Sequence, residues 1–232
     1  MKQFKLILMC LGLITTLIAC KKEQPSSTGE VDQDSIYAYY EVAYDEDTDM
    51  TTVFARFHSD PVRGLGSLDL DENASVSFNG DILPYTGRSF NPYQKEYEGQ
   101  VSGTFVYEDI EGNVFENEVP VCNAMTFSEE IETLSRTQEH TFQWEGIPFE
   151  EAEELSLSYP TQEGNATTPV EGERTANNEL TLYPGRLSKM AIGPAEFIIE
   201  RQRIIEDIEG TTAGGKITVI YRTTPKKVFM VD

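Results

Sequence analysis

The chain has 232 residues, with 40 Asp and Glu against 18 Lys and Arg, a formal net charge of −22 and 39% hydrophobic residues. That apolar content is enough to bury a core and excludes wholesale disorder. The acidic balance excludes nucleic acid as a partner, since a polyanion is held by clustered Lys and Arg that displace its counterions, and only Lys21-Lys22 and Lys226-Lys227 are adjacent basic pairs.

At the front, Lys2 and Lys5 precede an apolar run from Leu6 to Ala19. The run is shorter than the ~20 residues of a membrane-crossing helix and has the proportions of a secretory signal peptide. It ends in Leu17-Ile18-Ala19-Cys20, which resembles the lipobox of bacterial lipoproteins. The resemblance implies removal of residues 1–19 and lipidation of Cys20, with acyl chains such as palmitate anchoring the protein to the membrane. Two or three chains at about 0.8 kcal/mol per buried methylene make such an anchor effectively irreversible. Lys21, rather than Asp, follows Cys20, and in Gram-negative lipoproteins that implies the outer membrane. Lys22-Glu23 is similar to the export tag of surface-displayed lipoproteins, with one acid where the tag usually has two. The surface and periplasmic faces both stay open. Cys10 leaves with the signal peptide, so Cys122 is the one thiol remaining and no disulfide is expected inside the mature chain. In Val119-Pro120-Val121-Cys122 it reads as a small buried hydrophobe.

Residues 20–34 are polar, with Pro25, Ser26, Ser27 and Gly29, and read as a flexible tether that holds the folded part clear of the bilayer. From Ser35 the hydrophobic period becomes two: Ile36, Ala38, Tyr40, Val42 and Tyr44 alternate with Tyr37, Tyr39, Glu41 and Ala43, which predicts a strand. An acidic turn, Asp45 to Asp49, leads into a second strand at 51–57. Ala74 to Phe78 ends at Asn79-Gly80, a strong tight-turn pair. Residues 103–108 and 114–121 flank Asp109-Ile110-Glu111-Gly112-Asn113 as a hairpin.

The second half repeats the style, with strands at 141–144, 155–159 and 180–183. Residues 187–199 run Leu, turn, Gly and strand in an order similar to the corner between late strands of immunoglobulin-like domains, without the usual Tyr and Cys. Phe197, Arg201, Ile204, Ile205 and Ile208 also fit a helical stripe; the Gly-rich boundaries favour a strand. Gly214-Gly215, 216–222 and 228–231 are expected to close the chain as a hairpin around Pro225. Residues 35–232 thus resemble the tandem immunoglobulin-like β-sandwich lipoproteins of Gram-negative bacteria. The expected fold is all-β, two antiparallel sandwiches over 35–128 and 129–232.

For chemistry there is little. His58 and His140 lie in no zinc motif, and no nucleophile elbow, P-loop or dinucleotide fingerprint is present; no catalytic residue is assigned. Asp45, Asp47 and Asp49 alternate in the first turn, and Asp69, Asp71 and Glu72 cluster before Asn73. Oxygen-rich loops of this kind suit calcium, although Met50 and Arg56 occupy the positions where an EF-hand needs Gly and Glu; acidic solubilising turns are the competing reading. Tyr37, Tyr39 and Trp144 are candidate platforms for stacking on a ligand such as a sugar, against half-buried packing residues as the alternative. The expected function is a non-enzymatic outer-membrane lipoprotein that binds a protein or glycan partner. The alternatives are a periplasm-facing accessory of an outer-membrane complex and an envelope hydrolase using paired carboxylates.

Overall fold

Alternating apolar residues place eight strands in the first half of the chain. They are β1 (Tyr37–Asp45), β2 (Met50–Asp60), β3 (Leu65–Leu68), β4 (Ser75–Phe78), β5 (Asp81–Ile82), β6 (Tyr93–Glu98), β7 (Gly103–Glu108) and β8 (Val114–Val119). The structure, a computed structural model, describes residues 26–60, 65–87, 92–127, 131–150, 153–160, 167–170, 173–176 and 178–232; the expected signal peptide, Cys20 and the start of the tether lie outside them. β1 pairs with β2, and β2 with both β3 and β6, while β5-β4-β7-β8 form a separate four-stranded sheet. The sheet 1-2-6 against the sheet 5-4-7-8 is the strand order of an immunoglobulin-like sandwich. Its core takes Ala38, Tyr40 and Val42 from β1, and Tyr40 stacks on Phe105 of β7 at 4.5 Å while Phe57 packs on Tyr107 at 4.7 Å. Asn79 and Gly80 both have positive φ, 52° and 82°, as a two-residue turn of the twisted hairpin type requires.

The second sandwich contains β9 (Met125–Phe127), β10 (Thr133–Ser135), β11 (His140–Gly146), β12 (Glu153–Pro160), β13 (Thr167–Val170), β14 (Glu173–Ala176) and β15 (Glu179–Leu182). The helical turn α1 (Pro184–Leu187) then leads into β16 (Gly193–Ile205), β17 (Gly215–Arg222) and β18 (Lys226–Val231). One sheet runs β14-β15-β11-β9; the other runs β10-β18-β16, with β12 and β13 beyond β16. α1 sits at the corner between late strands, where the residue order 187–199 anticipates one. Residues 193–205 form one strand, as the Gly-bounded reading expects, with Phe197, Ile199 and Arg201 all directed to the buried side.

The last strands depart from the expected hairpin around Pro225. β17 and β18 do not pair with each other. They lie end to end along β16: β18 pairs with 193–197, β17 with 200–205, and Thr223 continues the ladder through its N–H to Ile199 O at 3.0 Å. β17 also pairs in parallel with β1, from Ala38↔Gly215 to Asp45↔Arg222. The sheets therefore run across the division expected at 128/129, and β9, on its near side, pairs with β11. Two pairings, β1 with β17 and β10 with β18, are parallel rather than antiparallel.

The tether expectation also changes. Residues 26–34, polar as they are, pack onto the first sandwich in two short 3-10 turns. Thr28 and Gln33 are buried, and Gln33 Nε2 donates to Thr28 O and Val31 O. Side-chain hydrogen bonds replace the missing apolar contacts, so low hydrophobicity does not here mean a free chain.

Candidate functional site

The first sandwich opens a groove of about 370 Å³ at the end where β3 crosses to β4. Val76 of β4, Leu83 and Tyr93 of β6 make a buried apolar floor, and the exposed Ile82 and Tyr85 stand along one wall. Ile82 is 63% and Tyr85 57% exposed, where most large apolar side chains of the molecule are buried. Residues 81–85 bridge the two sheets: Leu83 N donates to Val76 O, and Tyr85 forms a bridge with Tyr93. The Tyr85 and Tyr93 rings meet at 5.5 Å and 58°.

Asp69, Asp71 and Glu72 form the other rim. The loop is held by backbone and side chains. Asp71 Oδ1 accepts from Asn73 N and Nδ2, and Leu70 N donates to the Tyr93 hydroxyl at 2.6 Å. The packed N-terminal segment supports it from outside: Thr28 N donates to Asp69 O, Asp69 N to Ser26 O, and Asp71 N to the Thr28 hydroxyl. The Tyr85 hydroxyl donates to Asp69 Oδ2 at 3.3 Å, and that carboxylate, followed by burial, raises the phenol above its ordinary pKa. The lining combines a solvent-facing ring and an aliphatic side chain with three carboxylates, one of which, Asp69, touches the ring's hydroxyl.

The other residues singled out from sequence are placed differently. Asp45 Oδ1 accepts from Asp47 N and Thr48 N, closing the first turn, and Asp49 Oδ1 accepts from the Tyr44 hydroxyl at 2.9 Å. These are turn-forming contacts, and among the described residues no group of three or more His, Cys, Asp or Glu side chains is arranged to hold a metal ion.

Trp144 is buried in the second sandwich, edge-on to Phe149 at 5.5 Å, and offers no ring to a ligand. Tyr39 is also buried: its hydroxyl donates to Glu41 at 2.8 Å, and the Arg56 guanidinium lies 4.0 Å over its ring. Burial, reinforced by Glu41, pushes the Tyr39 phenol up to about 12. Tyr37 is half-buried at the start of the same strand. The three aromatics thus form no common platform. Alternation assigns Tyr39 to the outer face correctly, but long side chains from β2 and β17 cover that face.

Tyr85 and Ile82 are the residues that sequence reasoning passed over. Their signal was Ile82-Leu83-Pro84-Tyr85 directly after Asn79-Gly80, an apolar run following a tight turn; the acidic half of the groove was visible as Asp69, Asp71 and Glu72.

No protein-family model matches the chain, and no curated protein does. Among solved structures, the fibronectin(III)-like modules of Clostridium thermocellum CbhA are similar at 7% identity and a TM-score of 0.23, covering 81% of this chain and 94% of that one. The plexin A4 extracellular region is similar at 8% identity and a TM-score of 0.23, covering 81% of this chain and 27% of that one. The strand order itself is what makes the fold an all-β, immunoglobulin-like one.

Proposed function

We propose that the protein is a non-enzymatic lipoprotein of the bacterial outer membrane, tethered through Cys20, that binds a partner in the groove of its first sandwich. The observation that carries the binding reading is the groove itself: exposed Ile82 and Tyr85 beside a buried apolar floor and an acidic rim. Concave sites with apolar walls and a few convergent polar groups are the usual form of binding sites. The lipobox-like Leu17-Ile18-Ala19-Cys20 supports the tether.

A second reading, an accessory subunit of a larger membrane complex, is favoured by a separate feature. Ile192 and Phe229 are 54% and 50% exposed on the second sandwich, with Pro194 opposite Phe229 across the β16–β18 pair.

Cell fractionation tests the tether. Wild-type protein sediments with membranes and a Cys20→Ser variant is released; retention of Cys20→Ser in the membrane fraction contradicts the anchor. Protease treatment of intact and lysed cells then assigns the face, with digestion before lysis placing the domains outside and protection until lysis placing them in the periplasm.

A further inference from the structure

Resting on the reading of the chain as a lipid-tethered binding protein, we propose that the groove beside Tyr85 takes an extended basic peptide segment of a partner protein at the membrane surface. The apolar wall fits the stem of such a segment. Ile82 and Tyr85 are both exposed in the lining of the groove, where the methylenes of a Lys or Arg lie along them while its head group reaches the carboxylates. An aromatic face beside carboxylates is also a favourable setting for a cation.

The rim supplies the complementary charge, and nothing in the described molecule neutralises it. Among the described residues, Asp69, Asp71 and Glu72 take part in no ion pair, whereas the neighbouring Asp81 is paired with Lys95 at 2.7 Å. A net charge of −22 repels an anionic occupant and draws a cationic one toward the groove. A neutral glycan would use the ring and the rim's hydrogen-bond acceptors, but not its charge.

Ser27 bridges to Asp69, and Thr28 bonds to Asp69 and Asp71, so the acidic rim lies where the chain enters the fold. The six residue-to-residue steps from Cys20 to Ser26 reach at most about 20 Å. A lipid on Cys20 therefore keeps the rim close to the bilayer, where the occupant is a segment emerging from the same membrane.

The test titrates the full-length lipidated protein, in a neutral detergent, into a fluorescein-labelled decapeptide of alternating lysine and alanine. The glutamate–alanine counterpart serves as control. The lysine peptide is expected to bind and the glutamate peptide not to. Asp69→Asn, Asp71→Asn and Glu72→Gln together are expected to weaken binding at least ten-fold, and Tyr85→Ala at least three-fold. Removing the same number of charges elsewhere, with Glu111→Gln, Glu116→Gln and Glu118→Gln, leaves it unchanged. Thermal melts check that each variant is folded. Equal weakening by the two triple variants would reduce the effect to net charge and overturn the proposal, as would absence of binding. Tyr85-dependent binding of chitotetraose without the peptide would overturn it while leaving the groove a binding site. Failure of the anchor reads out separately, as membrane retention of Cys20→Ser, and does not touch the titration.

Discussion

At the scale of single residues, a cation in the core is held by partners on every nitrogen. Arg201, on the inward face of β16, is completely buried, and its Nε and Nη2 donate to the carboxylate of Glu153. Nη1 donates to Ile147 O at 2.7 Å, Nη2 to Pro148 O at 3.1 Å, and the guanidinium lies 4.4 Å from the Phe149 ring. Burial alone would raise the Glu153 carboxyl, but hydrogen bonds from Arg201 and the backbone N–H of Glu150 overcome it and hold the pKa below the ordinary value. The stability this carboxylate contributes is therefore complete above about pH 4.3, its unfolded value, and is lost as pH falls through the lower folded one. Glu153→Gln strands the guanidinium and is expected to cost about 3–5 kcal/mol at neutral pH, with a flatter acid limb; Arg201→Met combined with Glu153→Leu restores most of the loss. Urea unfolding at pH 3 to 7 measures both.

Cys122, one position from the exposed Val121, is buried, and its Sγ lies 3.6 Å from Arg201 O. Burial pushes the thiol up to about 11, so its contribution is complete below about pH 8.5 and is lost as pH rises toward 11. Native protein at pH 8 should resist a thiol reagent that labels the urea-unfolded chain at once, and Cys122→Ala should flatten the alkaline limb of stability. Rapid native labelling would contradict the burial. The small-hydrophobe role of Cys122 was legible from its Val-Pro-Val-Cys context. The core role of Arg201 was not, because a charged residue in an alternating strand ordinarily marks the wet face.

At the scale of elements, alternation and turn residues made most strands legible: β1, β2, β4, the β7–β8 pair and β16 all lie where the period of two places them. Partners were another matter. Periodicity tells which face a strand buries and nothing about which strand lies beside it, so the parallel pairing of β1 with β17, 177 residues along the chain, left no local trace. Pro225 was read as a reversal; it instead sits where the chain passes from β17 to β18, both paired to β16.

Gly215 shows how closely β17 approaches. A Cβ there would lie 2.5 Å from Ala38 O and 2.5 Å from the Ile208 Cδ1, and the first of these is backbone that cannot yield without opening the pair. Gly215→Ala is expected to cost about 1–3 kcal/mol and to speed amide exchange in Ala38–Asp45 more than in Gly103–Glu108. Uniform acceleration in both strands would contradict a local role for the contact.

At the scale of the whole molecule, the two immunoglobulin-like sandwiches are joined through β16, which pairs with β18 and β12 of the second sandwich and with β17, itself paired to β1 of the first. The segment from Ser26 is pinned at Asp69, so the first described residues, the acidic rim and the groove lie together. The acidic half of that site was legible as a carboxylate cluster. The apolar half was not, since Ile82 and Tyr85 become neighbours of Asp69 only when residues 81–85 bridge the two sheets.

Photocrosslinking in intact cells asks whether the groove holds a partner. A benzoylphenylalanine at position 85 is compared with one at position 116, on the exposed face of β8. A discrete adduct is expected from position 85 that is absent from position 116 and is lost when Asp69, Asp71 and Glu72 are neutralised. The same adducts from both positions, or none from position 85, would contradict the groove as the site through which this protein acts.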